Sequence, residues 1–309
     1  MPKIAFVFPG QGAQHPGMGK ELAERFQEAR DIYQLADQVL GFPLSKICFE
    51  GSKEELNKTE ITQPAILTTS IAILAVLRAH GLTPCIAAGL SLGEYSALVA
   101  SGALQFEDAL KLVIKRGKIM QEAVPKGQGM MVAVLGVKGS AVEQACASAA
   151  SAGIADIANY NCPGQIVISG EREGVQKAVK LLKAGGARVV PLAVSVPSHS
   201  RLMINAAEEL REELAGIEWS EPDFPVLSNA EAQEVHRTDL PDILLKQLYN
   251  PVKWEHSIIY MSDKIDYFIE VGPGKVLTGL IKKTVKNKAL GSVEDTASLE
   301  KVLKSEGAR

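Results

Sequence analysis

The chain has 309 residues, 46% of them hydrophobic and 22% charged. That composition is ordinary for a globular protein and long enough for a large core with an accessory domain. A net charge of −3 excludes a basic footprint for nucleic acid, so an anionic partner must meet a local patch. Four cysteines without a CxxC spacing and five scattered histidines argue against a disulfide framework and against a metal site, and fit a reduced, cytosolic chain. MPKIAFVF is too short for a signal-peptide core, and no segment approaches about 18 uninterrupted apolar residues. A soluble, cytoplasmic protein without a membrane segment is expected.

KIAFVF (3–8) reads as a short buried strand, and 21–40 carries helical spacing. ITQPAILTTSIAILAVLRAHG (61–81) reads as a strongly apolar helix, with Pro64 in its first turn and Gly81 at its end. PCIAAG (84–89) is a strand, 93–102 a short helix and 106–124 a longer one stopped by Pro125. The middle then changes rhythm. Strand 129–137, helix 140–152, strands 154–161 and 165–170, helix 173–187 and strand 188–194 make a βαββαβ run, the ferredoxin-like pattern. It is read as an inserted subdomain over residues 126–196. The remainder resumes the first domain with helix 200–215, strand 224–229, helices 242–250 and 254–262, strand 267–272 and helix 275–285. Strands alternate with helices, so the large part, residues 1–125 and 197–309, is expected to be α/β around a mostly parallel sheet. No element is assigned to 41–60 or 286–309.

The loop FPGQGAQHPGMGK (8–20) looks like a phosphate cradle and fails as one. A P-loop needs Lys after its second glycine, where Met18 stands, and a dinucleotide loop needs a third glycine where His15 stands. A stronger signal is Gly89-Leu90-Ser91-Leu92-Gly93, a G-x-S-x-G between a strand and a helix, the setting of a nucleophile elbow. Ser91 would stand at a helix N-terminus, with the Leu92 N–H facing a developing oxyanion. Such a serine needs a base. His199, in VPSHS between a strand and a helix, is the best placed of the five histidines. No Asp or Glu stands out as a third member, and a backbone carbonyl is an alternative. Arg116 borders an apolar face, where a guanidinium pairs with a carboxylate. With Lys111, Lys115 and Lys118 on the same helix, the residues by themselves favour reading it as part of a solvated cationic face.

FPGQGAQ, TQPAIL, GLSLGEYSALVASGAL, VIKRGKIM, NCPGQIVISG, VPSHS, QLYNPVKW and EVGPGKVL occur in this order along nearly the whole chain. Together they resemble the malonyl-CoA:acyl-carrier-protein transacylases of bacterial fatty acid synthesis. The resemblance implies an α/β-hydrolase-like large domain with a ferredoxin-like insert. It implies Ser91 as nucleophile, His199 as base and then acid, and Arg116 as the malonyl carboxylate site. It further implies an oxyanion hole from the N–H groups of Gln11 and Leu92, and a main-chain carbonyl near Gln247 orienting the histidine. Gln63, Met120 and Asn161 match positions around the pocket. The implied substrates are a coenzyme A thioester and phosphopantetheinylated acyl carrier protein, with no cofactor and no metal. Leu90 departs from the His that often precedes the family's serine, whereas Ser198 fits the stand-alone bacterial enzymes. Arg188, Lys282, Lys283 and Lys286, with Lys288 beside them, are candidates for docking an acidic carrier protein, or simply a solvated helix end. Two rival readings are a serine esterase on a related fold and a non-catalytic carrier-protein-binding module.

Overall fold

The computed structural model describes residues 2–192, 194 and 196–305. Positions 193 and 195, inside the expected insert, and 306–309 lie outside them. The chain opens with β1 (Ile4–Phe8), α1 (Lys20–Arg25), α2 (Gln27–Leu40), α3 (Leu44–Glu50), α4 (Lys53–Leu56) and α5 (Thr59–Ala79). It continues with β2 (Ile86–Gly89), α6 (Leu92–Ala100) and α7 (Phe106–Glu122). All five residues of β1 are buried, as a strand covered on both faces requires. Its alternate residues serve two cores. Ile4, Phe6 and Phe8 face the layer of α2, α5 and α7, whereas Ala5 and Val7 face the opposite layer with Trp254 and Ile258. α5 is apolar on every side because α2, α6 and α7 pack around it. Among the described residues it is the one helix long and apolar enough to cross a membrane, and most of it is buried inside the fold.

The chain then leaves for a separate sheet: β3 (Gly129–Leu135), α8 (Gly139–Ala149), β4 (Ala155–Cys162), β5 (Gln165–Glu171), α9 (Arg172–Ala184) and β6 (Arg188–Pro191). The sheet is antiparallel, in the order β4-β5-β3-β6. Val132, Val134, Ile166 and Ile168 face α8 and α9. The return brings α10 (Ile204–Ala215), β7 (Val226–Leu227), α11 (Leu240–Tyr249), α12 (Trp254–Ser262), β8 (Tyr267–Val271), α13 (Val276–Thr284), β9 (Ala289–Val293) and α14 (Thr296–Lys304). The large sheet runs β7-β2-β1-β8-β9 with every pairing parallel. The small sheet is tied to the connection between α11 and α12, where Tyr160 N–H donates to the Val252 carbonyl at 2.9 Å and Val252 N–H to the Ala158 carbonyl at 2.8 Å.

The predicted strand 224–229 shrinks to Val226–Leu227, because Ser228 and Asn229 turn away to other partners. α3, α4, β9 and α14 occupy segments that the sequence left unassigned. Lys288 donates to the carbonyls of Ser262 and Ile265, so it closes the end of α12 rather than joining the exposed lysines. Glu270, 1% exposed on β8, accepts the N–H groups of Leu277 at 3.0 Å and Thr278 at 2.7 Å. It thus holds the first turn of α13, whose N–H groups lack helical partners. Glu270→Gln keeps the shape but turns a donor toward one of those N–H groups. A loss of about 1–3 kcal/mol of stability is expected, read as a lower urea midpoint at unchanged slope.

Candidate active site

The carboxyl ends of β1, β2 and β7 converge, as sites on parallel sheets do. β2 ends at Gly89 and α6 begins at Leu92, leaving Ser91 in the turn at φ 54°, ψ −107°. Such positive φ is strained for a non-glycine residue and marks functional turns. The flanking glycines permit it by close approach. A Cβ on Gly89 would fall on the main chain of Gly93 and Glu94, and one on Gly93 on the Phe8 carbonyl. Side chains from distant segments brace the turn. Ser91 N–H donates to Asn229 Oδ1 at 2.6 Å, Asn229 Nδ2 to the Gly89 carbonyl at 2.6 Å, and Gln247 Nε2 to the Ser91 carbonyl at 2.9 Å.

His199 enters from the loop before α10, also at positive φ, 60°. Its N–H donates to the Leu248 carbonyl at 2.8 Å. Its Nδ1 lies 2.7 Å from the Gln247 carbonyl. A carbonyl only accepts, so Nδ1 carries the hydrogen and Nε2 is a free acceptor. Ser91 Oγ lies 2.8 Å from that Nε2 and donates to it. Burial, and then the neighbouring Arg116 charge, lower the imidazole from its ordinary 6.5 to about 4. His199 is therefore neutral and able to take a proton across the physiological range.

Arg116 is 1% exposed, on the buried stripe of α7 that also carries Leu112, Val113, Gly117 and Met120. Lys111, Lys115 and Lys118 face solvent. The solvated-face reading thus holds for the lysines and fails for Arg116. Arg116 Nη1 donates to Gln63 Oε1 at 2.9 Å, and Nη2 to Gln247 Oε1 at 3.0 Å and Ser91 Oγ at 3.3 Å. Its guanidinium stands 5.4 Å from the Tyr95 ring centre. Burial lowers its pKa.

The other expected residues fall into two groups. Gln11 is exposed in the loop after β1, which is seated on the elbow by the Leu90 N–H donating to the Phe8 carbonyl at 3.0 Å. Leu92 is the first residue of α6, where an N–H has no helical acceptor. Met120 is buried one turn beyond Arg116, and Asn161 on β4 is 9% exposed with an unpartnered Oδ1. Of the basic residues, Arg188 and Lys283 lie at the same end of the antiparallel sheet. Leu135 pairs with both Gln165 and Arg188, and Lys283 Nζ donates to Gln165 Oε1 at 3.2 Å. Arg188, Lys282, Lys283 and Lys286 are all exposed.

Two residues of the site escaped the sequence reading. Asn229 braces the elbow from the end of β7. Glu94, 1% exposed, accepts from Gln247 Nε2 at 2.6 Å and from the Asn229 N–H at 3.3 Å. Burial pushes its carboxyl up to about 8, against the pull of those hydrogen bonds and of Arg116. One signal was available for Glu94: it is the single charge in a helix of small and apolar residues. Asn229 left none.

Comparison with known proteins places this geometry. The acyl transferase domain family matches residues 5–304. The malonyl CoA-acyl carrier protein transacylase of Bacillus subtilis is 48% identical over 304 residues, 97% of this chain and 96% of the relative. An acyl carrier protein S-malonyltransferase from Vibrio cholerae superposes with a TM-score of 0.95 at 45% identity, over 97% of this chain and 99% of its own. A malonyl-transacylase solved in complex with its type II PKS acyl-carrier protein gives 0.94 at 44% identity, over 98% and 99%. With a strained serine, a carbonyl-held histidine and a buried arginine on one site, and with likeness along its whole length, the chain belongs to the acyl transferase family, among its malonyl CoA-acyl carrier protein transacylases.

Proposed function

We propose that the chain moves the malonyl group from malonyl-CoA to the phosphopantetheine thiol of acyl carrier protein, through an ester on Ser91. One observation carries the reading: a nucleophile, a base and a buried cation meet on the same oxygen, Ser91 Oγ. Ser91 Oγ attacks the thioester carbonyl while His199 Nε2 takes its proton. The oxyanion that develops is held by the N–H groups of Gln11 and Leu92. The tetrahedral adduct collapses, the C–S bond breaks, and His199 returns the proton to the departing CoA sulfur. The carrier thiol then gives its proton to His199 and attacks the ester, and Ser91 leaves with that proton. The exchange needs neither redox nor metal chemistry, so no cofactor is proposed.

Arg116 receives the free carboxylate, and Gln63, Met120 and Asn161 shape the pocket around it. Gln247 orients His199 through its carbonyl. The esterase reading needs an acidic partner for the histidine, and the contact to Nδ1 here is the Gln247 carbonyl. We assign residues 1–125 and 197–309 to an α/β-hydrolase-like catalytic domain and 126–196 to a ferredoxin-like insert. The strand order β4-β5-β3-β6 with βαββαβ connectivity supports the second assignment. The exposed cations Arg188, Lys282, Lys283 and Lys286 form the surface on which an acidic carrier protein docks, and the cytoplasm is where both substrates meet the enzyme.

Incubation with malonyl-CoA should add one malonyl mass to the intact chain. Ser91→Ala should abolish the adduct and carrier protein should discharge it; absence of the adduct from the wild type rejects the reading. Arg116→Ala should lower kcat/KM for malonyl-CoA by at least about 100-fold and leave acetyl-CoA far less affected, because only the former loses a carboxylate partner. An unchanged preference ratio contradicts the role of Arg116. The acid limb of kcat/KM for Ser91 acylation should fall near pH 4, where His199 titrates, and not near 6.5. The same depressed pKa makes the unfolded chain bind more protons between those values. The stability contributed by neutral His199 is therefore full above about pH 6.5 and is lost as pH falls toward 4.

A further inference from the structure

Among the described residues two carboxyl side chains are buried, Glu94 and Glu270. Glu270 is accounted for by the N–H groups of α13. Glu94 occupies the third position of α6, where a glutamate ordinarily folds back to the N–H of the capping residue. That N–H belongs to Ser91 and donates instead to Asn229 Oδ1, so helix capping does not explain the buried carboxyl.

Its partners do. Gln247 Nε2 has two hydrogens, one on the Ser91 carbonyl at 2.9 Å and one on Glu94 Oε2 at 2.6 Å. Gln247 Oε1 accepts from Arg116 at 3.0 Å. A main-chain carbonyl and the Glu94 carboxyl oxygen accept here, and a guanidinium donates. The three partners therefore fix which way round the Gln247 amide lies, and a flip would set donor against donor at Arg116. Glu94 thus lies one amide away from the buried guanidinium. Its second oxygen holds the Asn229 N–H, next to the side chain that braces both ends of the elbow.

We propose that Glu94 is a positioning residue for acyl transfer: it locks the Gln247 amide, so that Gln247 aims Arg116 with its side chain while holding His199 with its main chain. The inference rests on the malonyl-transfer reading above. Its particular content is that the carboxylate-selecting cation and the base are tied to one glutamine, and that the tie is set by Glu94. Loss of the lock should therefore injure carboxylated substrates more than uncarboxylated ones.

The test is Ser91 acylation by malonyl-CoA and by acetyl-CoA in wild type, Glu94→Gln, Gln247→Ala and the double variant. Glu94→Gln is nearly isosteric but turns an NH2 toward one of two donors. Its kcat/KM for malonyl-CoA should fall roughly 10- to 100-fold with a raised KM, against a few-fold for acetyl-CoA. The double variant should be no slower than Gln247→Ala alone, because Glu94 acts through Gln247. Equal losses on both substrates at unchanged KM, or single-variant losses that multiply in the double, overturn the proposal. So does a Glu94→Gln enzyme with wild-type kinetics. Should Glu94→Gln fail to fold, Gln247→Ala decides: a malonyl-selective loss supports the lock and a uniform loss rejects it. A wild-type chain that forms no malonyl ester defeats the underlying reading instead, so the two failures are distinct.

Discussion

The hydrogen bond from His199 Nδ1 to the Gln247 carbonyl, 2.7 Å long, sets the state of everything around it. It fixes the tautomer, leaves Nε2 open toward Ser91 and needs no charge to do so. A carboxylate in that place would favour the protonated ring and raise its pKa. A carbonyl favours it much less, and burial beside Arg116 then carries the ring down to about 4. The carbonyl is well placed because it belongs to the last turn of α11, whose apolar residues Ile243, Leu244, Leu245 and Leu248 anchor the helix in the core. Packing far from the chemistry thus becomes the orientation of one imidazole.

The same logic applies to the elbow. Ser91 is held at unfavourable backbone angles because segments from across the chain leave it no alternative. Phe8 crowds Gly93, Asn229 takes the Ser91 N–H, and Gln247 takes its carbonyl. The two hydrogen bonds span sequence separations of more than a hundred residues, so the strained turn exists only once the parallel sheet is assembled. The antiparallel sheet is fastened to that assembly through Val252, two residues beyond Asn250 at the end of α11. The segment that orients the histidine is therefore continuous with the one that seats the small sheet.

Much of this was legible in the sequence, for reasons that differ by residue. β1 and α5 announced themselves through unbroken apolar runs. The βαββαβ order showed in the alternation of strand and helix patterns between 129 and 194. Ser91 was legible because its turn demands glycine on both sides, which leaves a motif. His199 was only the best of five, and Arg116 looked like one cation of four, because burial of a charge depends on what other elements cover it. Family resemblance, not spacing, supplied their roles. α3, α4, β9 and α14 carried weaker patterns and depend on tertiary packing. Asn229 was invisible: its task is to brace a turn formed by residues nearly 140 positions earlier, and no local pattern encodes that.

The carboxylate preference proposed for the site turns on the burial of the Arg116 guanidinium. In the free enzyme Arg116 is held by two neutral amide oxygens and by Ser91 Oγ, with the Glu94 carboxyl one amide further away. Neutral acceptors stabilise a desolvated cation less than an anion in direct contact does. On the role proposed for Arg116, a malonyl carboxylate would improve on what the enzyme has by itself, whereas an acetyl group would bring its methyl to the same cation and improve nothing. The bond from Arg116 to Ser91 Oγ adds a second effect. Its donation lowers the electron density on the nucleophile, and a carboxylate that draws the guanidinium to itself relieves that. On that proposal, selection of the substrate and release of the nucleophile would be one event, prepared by an arginine already aimed at the serine before substrate arrives.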